Sequence, residues 1–104
     1  MINNEIRTIV DRFKASLHPE KIYLFGSYAR DTFTDESDYD FYIVVNDSAS
    51  AKTELSRQAY RSLRGMKRKA VDIIIGTVSQ FEERKALPTL EKMIAKEGVV
   101  LYEK

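Results

Sequence analysis

The sequence predicts an α/β (α+β) fold in which helices pack on a small mixed β-sheet. Two observations support this: short runs of β-branched and aromatic residues have the length of strands, and stretches with helical periodicity separate them. Apolar residues make up 43% of the chain, which is ordinary for a globular protein. With 104 residues, the sequence is expected to form one small domain over residues 1–104.

The first half is predicted to contain two helices and two strands. An amphipathic helix is expected to end near His18-Pro19, because one helical stripe carries Ile6, Ile9, Val10, Phe13 and Leu17. We then expect a strand over residues 21–25, a short helix over 27–32 and a strand over 39–45.

The second half is predicted to begin with a polar turn, residues 46–48, that could cap the following helix. A helix is predicted over 50–64 with Leu55, Ala59 and Leu63 inward, followed by a buried strand over 70–75. A helix over 80–87 comes next, and Pro88 opens a further helix with Leu90, Met93 and Ile94 inward. The last predicted element is a strand over 99–102. Gly65 and Gly98 suit the ends of two of these helices.

Composition excludes several classes of protein. The 17 basic and 16 acidic residues nearly balance, which argues against direct nucleic-acid binding. The chain has no cysteine, so it forms no disulfide or thiolate-bound zinc site, and its single histidine, His18, excludes a histidine-rich metal site. No signal peptide or membrane-spanning stretch is visible, so we expect a cytoplasmic protein without a membrane partner.

The most informative pattern is Gly26-Ser27 followed by Asp38-Tyr39-Asp40. On a strand, Asp38 and Asp40 would point to the same face, about 6.5–7 Å apart. Such carboxylates repel each other unless a cation lies between them, and Mg²⁺ prefers oxygen ligands together with substrate phosphates. Gly26 allows close backbone approach, and Ser27 offers a hydroxyl beside free amides at a helix start. The pattern indicates phosphoryl-group chemistry on a nucleotide.

These motifs resemble the DNA polymerase β-type nucleotidyltransferase superfamily. The residues Gly26-Ser27-Tyr28-Ala29-Arg30 with Ser37-Asp38-Tyr39-Asp40 look like its minimal (MNT) branch, and the similarity extends over most of the chain. The third carboxylate of the family is matched by Asp72 within Val71-Asp72-Ile73-Ile74-Ile75. One departure is Asp31, where many members carry glycine, which puts the loop geometry in question.

The resemblance implies transfer of a nucleoside monophosphate, AMP from ATP, to an acceptor hydroxyl. Asp38 and Asp40 would hold one or two Mg²⁺ ions on the triphosphate, and Asp72 would complete the metal site on the acceptor side. Gly26 and Ser27 would bind the β and γ phosphates. Arg30 would reach a phosphate or form a surface ion pair with Asp31 or Asp35. A structural role inside the sheet is the alternative for Asp72.

Minimal members of the family are typically encoded beside a helical HEPN toxin, and some transfer AMP to a toxin tyrosine as antitoxins. The resemblance therefore implies a HEPN-type partner. Two alternatives stay open: a non-catalytic module that masks the partner, and a small-molecule nucleotidyltransferase of the antibiotic-resistance type. The identity of the acceptor and the oligomeric state, including a homo-oligomer, are also open.

A basic patch has no role in this chemistry. Arg57, Arg61 and Arg64 recur at helical spacing opposite the apolar stripe, and Lys67, Arg68 and Lys69 follow. The patch is either a solvated face or a docking site for an acidic partner or substrate.

Overall fold

The computed structural model describes residues 2–104, which form five helices and a four-stranded sheet. In chain order the elements are α1 (Asn4–Leu17), β1 (Lys21–Phe25), α2 (Ser27–Arg30), β2 (Tyr39–Val45), α3 (Lys52–Ser62), β3 (Val71–Thr77), α4 (Val78–Arg84), α5 (Leu90–Glu97) and β4 (Val99–Glu103). Every predicted helix and strand is present, with ends that differ by up to a few residues.

The sheet is mixed, as predicted, with the strand order β3-β2-β1-β4. Strand β1 pairs antiparallel with both β2 and β4, whereas β2 and β3 run parallel. Strand β3 is therefore an edge strand that begins at the same end of the sheet as β2. The register pairs Tyr39 with Val71 and Asp40 with Asp72.

Each face of the sheet carries its own apolar cluster. The first face packs against α1 and α3, and its side chains Phe41 and Ile43 are fully buried together with Phe13 of α1. The second face packs against α4 and α5 around Tyr42, Phe81 and Ile94. Alternate residues of β2 enter the two clusters, because successive side chains of a strand point to opposite faces.

The two helices of the first half end in left-handed residues. Asn3 caps α1 by accepting a hydrogen bond from the Ile6 amide at 2.7 Å, and His18 closes it with φ 49°. Helix α2 has only four residues and ends at Asp31, with φ 62°. A left-handed backbone conformation favours glycine, which explains why many members of the family carry glycine at the position of Asp31.

Two local predictions were wrong. The polar turn at 46–48 does not cap α3, whose N-cap is Ala51. Instead, Asp47 accepts a hydrogen bond from the Ser79 amide at 3.0 Å in the first turn of α4, whose N-cap is Thr77. Strand β3 is not buried on both faces: its burial alternates, since the second face over this edge strand is only partly covered.

No helix within residues 2–104 combines the length and the apolar character needed to cross a membrane.

Candidate active site

Two carboxylates lie side by side on the second face of the sheet. Asp40 on β2 and Asp72 on β3 are direct partners in the parallel register. Asp40 is half-buried, and burial raises the pKa of its carboxyl group above the ordinary value. The negative charges of Asp72 and Asp38 raise the Asp40 pKa further, whereas Arg30 lowers it. The four residues therefore form one electrostatic group in which carboxylate repulsion favours a bound cation.

Asp72 is exposed, contrary to the expectation that it lies in a buried strand. Its neighbours Val71 and Ile73 are buried on the first face, so Asp72 points to the partly open second face beside Asp40. An exposed carboxylate needs no neighbouring donors to satisfy it. The cost of burying an unpaired carboxylate therefore does not indicate a function for Asp72, and its proposed role depends on its position beside Asp40.

Asp38 lies immediately before β2 and is exposed. The loop that leads to it is held at several points. Phe33 stacks on Tyr28 with ring centroids 4.2 Å apart, the Thr34 amide donates to the Ser37 hydroxyl at 2.8 Å, and the Lys69 ammonium donates to the Asp35 carbonyl. Sequence reasoning placed Lys69 only in a basic run. Its link to this loop depends on tertiary structure and has no local signal.

Gly26 lies directly against the Asp40 carboxylate. Its backbone has φ 76° and ψ −153°, a combination that is essentially restricted to glycine. A Cβ at this position would collide with the Asp40 carboxylate and lie 3.1 Å from Asp40 Cγ. Gly26 therefore approaches a candidate-site carboxylate closely, whereas its close approach to a phosphate stays a prediction.

Ser27 and Arg30 form the two ends of α2. Ser27 is the first helical residue, next to Gly26, and is half-buried, whereas Arg30 is exposed. The ion pairs of residues 2–104 include none between Arg30 and either Asp31 or Asp35. The Arg30 charge acts on Asp40 instead. The phosphate-binding roles of Gly26, Ser27 and Arg30 stay predictions.

The carboxylates do not form a complete metal cage. Across residues 2–104, no group of three or more histidine, cysteine, aspartate or glutamate side chains is arranged to hold a metal ion. Asp40 and Asp72 are paired in the sheet, whereas Asp38 lies immediately before the first residue of β2. The ligand roles of Asp38, Asp40 and Asp72 therefore stay predictions as well.

A partly buried polar network supports the sheet beyond the carboxylates. The Tyr42 hydroxyl donates to Glu91 at 2.8 Å, and Arg84 Nε donates to the other oxygen of Glu91 at 3.0 Å. Glu91 is only 7% exposed. Burial raises its pKa, but the hydrogen bonds from Tyr42 and Arg84 outweigh this, so the net pKa is lowered. Sequence reasoning missed this network, since its members are distant along the chain.

Comparison with known proteins assigns the family. The family model described as "Polymerase beta, Nucleotidyltransferase" matches residues 6–104. The chain therefore belongs to the polymerase β nucleotidyltransferase family, as its motifs predicted. No curated protein matches the sequence at a significant level.

Solved structures share the fold. A Sulfolobus solfataricus protein described as a nucleotidyltransferase has a TM-score of 0.64 and 24% identity, covering 94% of this chain and 77% of its own. A toxin–antitoxin structure with AMP-PNP has a TM-score of 0.60 and 21% identity, covering 98% and 75%. A mutant of the toxin–antitoxin MntA–HpeT, in which two aspartates two positions apart are replaced by glutamate, has a TM-score of 0.57 and 18% identity, covering 98% and 75%.

Proposed function

We propose that this protein is a Mg²⁺-dependent nucleotidyltransferase that transfers AMP from ATP to an acceptor hydroxyl. The acceptor in this proposal is a tyrosine of a HEPN-type toxin, and the protein acts as the antitoxin. The observation that carries the proposal is the pairing of Asp40 with Asp72 in adjacent parallel strands, with Gly26 packed against Asp40. The family match supports the same class of reaction.

The residues present fit a hard divalent cation. Asp38, Asp40 and Asp72 offer only oxygen donors, which suit Mg²⁺, and the pKa of Asp40 is raised by burial and then by the nearby negative charges of Asp72 and Asp38. Mg²⁺ held by these residues would neutralise charge on the triphosphate. Around it, the Gly26-Ser27 turn would bind the β and γ phosphates through amides and a hydroxyl. Arg30 would add a positive charge beside them.

The proposed step exchanges one phosphorus–oxygen bond for another. The acceptor oxygen forms a bond to the α-phosphorus while the bond from that phosphorus to the oxygen bridging to the β-phosphate breaks. Pyrophosphate leaves with the electron pair of that bond. The proton of the acceptor hydroxyl passes to Asp72, which is exposed and therefore accessible to an incoming acceptor. Most of the rate enhancement comes from positioning and charge neutralisation.

The solved structures support the antitoxin role. Two of the similar structures are toxin–antitoxin structures, and one of them was solved with AMP-PNP, an ATP analogue. The mutated aspartates of MntA–HpeT have the spacing of Asp38 and Asp40. A masking antitoxin without catalysis is the competing proposal, because a toxin–antitoxin pair can also act by stoichiometric contact.

Labelled ATP separates these proposals. The protein is incubated with Mg²⁺, ATP labelled on the α-phosphate and the purified product of the neighbouring gene. We expect label on that product, and none with ATP labelled on the γ-phosphate or with the Asp40→Asn variant. Label on neither protein, with toxin activity suppressed at equimolar antitoxin, would instead establish masking. Label on an added aminoglycoside alone would establish the small-molecule activity.

Metal dependence is tested by calorimetry with and without EDTA. We expect ATP affinity to fall at least about tenfold in EDTA, because the triphosphate charge then faces uncompensated carboxylates. ADP ribose, which lacks the triphosphate, serves as the control nucleotide. Equal ATP affinity under both conditions would contradict the metal site.

A further inference from the structure

The basic patch of α3 forms a groove on the surface. Arg57, Tyr60, Arg61 and Arg64 line a concavity of about 390 Å³, which we call the basic groove. All four residues are exposed. The apolar side of α3, Leu55 and Ala59, is buried against the first face of the sheet, so the groove lies on the outward surface of this helix and of the turn that follows it.

The positive charge of the basic groove is mostly uncompensated. Arg57 pairs with Glu54 at 3.1 Å, but the ion pairs of residues 2–104 include none to Arg61 or Arg64. Arg57 and Arg61 lie one turn apart on α3, and Arg64, in the turn after the helix, lines the same concavity, so the three guanidinium groups repel one another. Each presents a planar fork of donors that matches a carboxylate. The groove therefore favours a ligand with several negative groups.

Tyr60 connects the basic groove to the candidate active site. Its hydroxyl accepts a hydrogen bond from the backbone amide of Ile73 at 3.1 Å. Ile73 follows Asp72 directly on β3, the strand that forms the edge of the sheet. The groove thus reaches this edge from the first face, while Asp72 occupies the second face of the same strand. A ligand in the groove has only one strand to cross before it reaches Asp72.

We propose that the basic groove binds an acidic polypeptide segment that carries the acceptor hydroxyl and delivers it to Asp72. This inference rests on the proposed function, since it assigns Asp72 to the acceptor side of the site. A polypeptide fits better than a nucleic acid because the whole chain has a net charge of only +1. Nucleic-acid binding relies on an extended basic field, whereas a few arginine–carboxylate contacts need only the groove.

Binding to a synthetic acidic polypeptide tests the groove without ATP or metal. The probe is a fluorescein-labelled random copolymer of glutamate and tyrosine, followed by fluorescence anisotropy. We expect the Arg57→Gln/Arg61→Gln/Arg64→Gln variant to bind about tenfold more weakly than the wild type, since three charge-assisted contacts are lost. The matched control Arg7→Gln/Lys92→Gln/Lys96→Gln removes the same charge from other exposed positions and should bind like the wild type.

Two results would overturn the groove assignment. One is equal binding of the copolymer by the groove variant and the control variant. The other is a wild type that binds labelled polyuridylate through these arginines but not the copolymer, which would make the groove a nucleic-acid surface. Each variant is checked by circular dichroism and by Mg·ATP calorimetry, which should match the wild type.

Transfer is measured separately, so that failure of the groove and failure of the proposed function give different results. With α-labelled ATP and Mg²⁺, AMP should appear on the copolymer tyrosines, and the groove variant should need about tenfold more copolymer for the same rate. Groove-dependent binding with no label would leave the groove in place and refute transfer to tyrosine. Label that is independent of the three arginines would confirm transfer and refute the groove.

Discussion

Gly26 carries the tightest constraint of any single residue in the candidate site. We expect Gly26→Ala to lower AMP transfer at least about 100-fold, because the new methyl group displaces the Asp40 carboxylate and small misplacements of that kind are costly. The matched control is Gly65→Ala, since Gly65 has a similar φ of 78° but no atom within 4 Å of the added Cβ. Both variants should lose some stability through backbone strain. Only Gly26→Ala should lose transfer, and an active Gly26→Ala protein would contradict the role of Asp40.

If Asp72 serves the acceptor, its replacement should impair the chemical step while leaving nucleotide binding nearly unchanged. Asp72→Ala should lower kcat at least about 100-fold while the Kd for Mg·ATP stays within about threefold. The exposed position predicts little change in stability, within about 0.5 kcal/mol. Transfer kinetics, calorimetry and the melting temperature are measured on the same sample, with Asp35→Ala as an exposed control from the nearby loop. A folded Asp72→Ala protein with normal kcat would remove Asp72 from the site.

The identity of the site residues could be predicted from the sequence, but their surroundings could not. The spacing from Gly26-Ser27 to Asp38 and Asp40 is local, so it can be found in one sequence. The pairing of Asp40 with Asp72 depends on the parallel register of β2 and β3, and the two residues are 32 positions apart in the sequence. Only the resemblance to a family implied it. The contact of Gly26 with Asp40 is likewise tertiary.

At the scale of elements, the short helix α2 ends in a strained residue. Asp31 has φ 62° and its amide donates to the Ser27 carbonyl. A left-handed backbone conformation lowers the stability of the folded protein by roughly 1–2 kcal/mol for a residue with a Cβ. Replacement by glycine removes this strain, but the greater flexibility of glycine in the unfolded chain offsets about half of the gain. We therefore expect Asp31→Gly to raise the free energy of unfolding by about 0.5–1 kcal/mol in urea titrations.

Two further variants test whether backbone strain is the cause of this effect. His18→Gly replaces the other non-glycine residue with positive φ in residues 2–104, at φ 49°, and should also stabilise the protein. Asp35→Gly falls in the same loop without a positive φ and should be neutral or destabilising. If Asp31→Gly and Asp35→Gly had the same effect, strain at Asp31 would not explain the family preference for glycine.

Elements were predicted well where a local pattern defines them. The stripe of α1 and the apolar run of β2 each determine an element through periodicity, and both appear at the expected place. The burial of β3 could not be predicted, because an edge strand and a central strand can share the run Val71–Ile75. The role of the polar turn near Asp47 could not be predicted either, because its side chain accepts from the amide of Ser79 in the first turn of α4, 32 residues further along.

At the scale of the whole molecule, the two faces of the sheet differ in how completely helices cover them. The first face is closed by α1 and α3 and supplies most of the buried apolar surface. The second face is closed by α4 and α5 at one end and left open beside Asp40 and Asp72. The proposed nucleotide site lies at the open end, whereas apolar packing against α4 and α5 covers the other end. At that covered end, buried Glu91 on α5 joins buried Tyr42 on β2 to the exposed Arg84 on α4.

The network predicts a pH-dependent stability with a definite sign. The pKa of Glu91 in the folded protein is below its ordinary value of 4.5, because Tyr42 and Arg84 donate hydrogen bonds to the carboxylate. Its stabilisation is therefore complete above about pH 5 and is lost as the pH falls through the lowered folded-state pKa. We expect Glu91→Gln to reduce the free energy of unfolding by about 1–2 kcal/mol at pH 7, because a charge-assisted bond to Arg84 is lost.

The sign of the pH effect is the sharper test, since many core substitutions would lower stability at pH 7. Urea titrations between pH 7 and pH 3 should show the difference between wild type and Glu91→Gln shrinking as the pH falls below 4.5, because the wild-type carboxyl then becomes neutral as well. Glu83→Gln, an exposed change on α4, should leave the whole curve unchanged. A difference that stayed constant with pH would mean that Glu91 contributes packing alone, and that the ion pair with Arg84 does not hold α4 and α5 on the sheet.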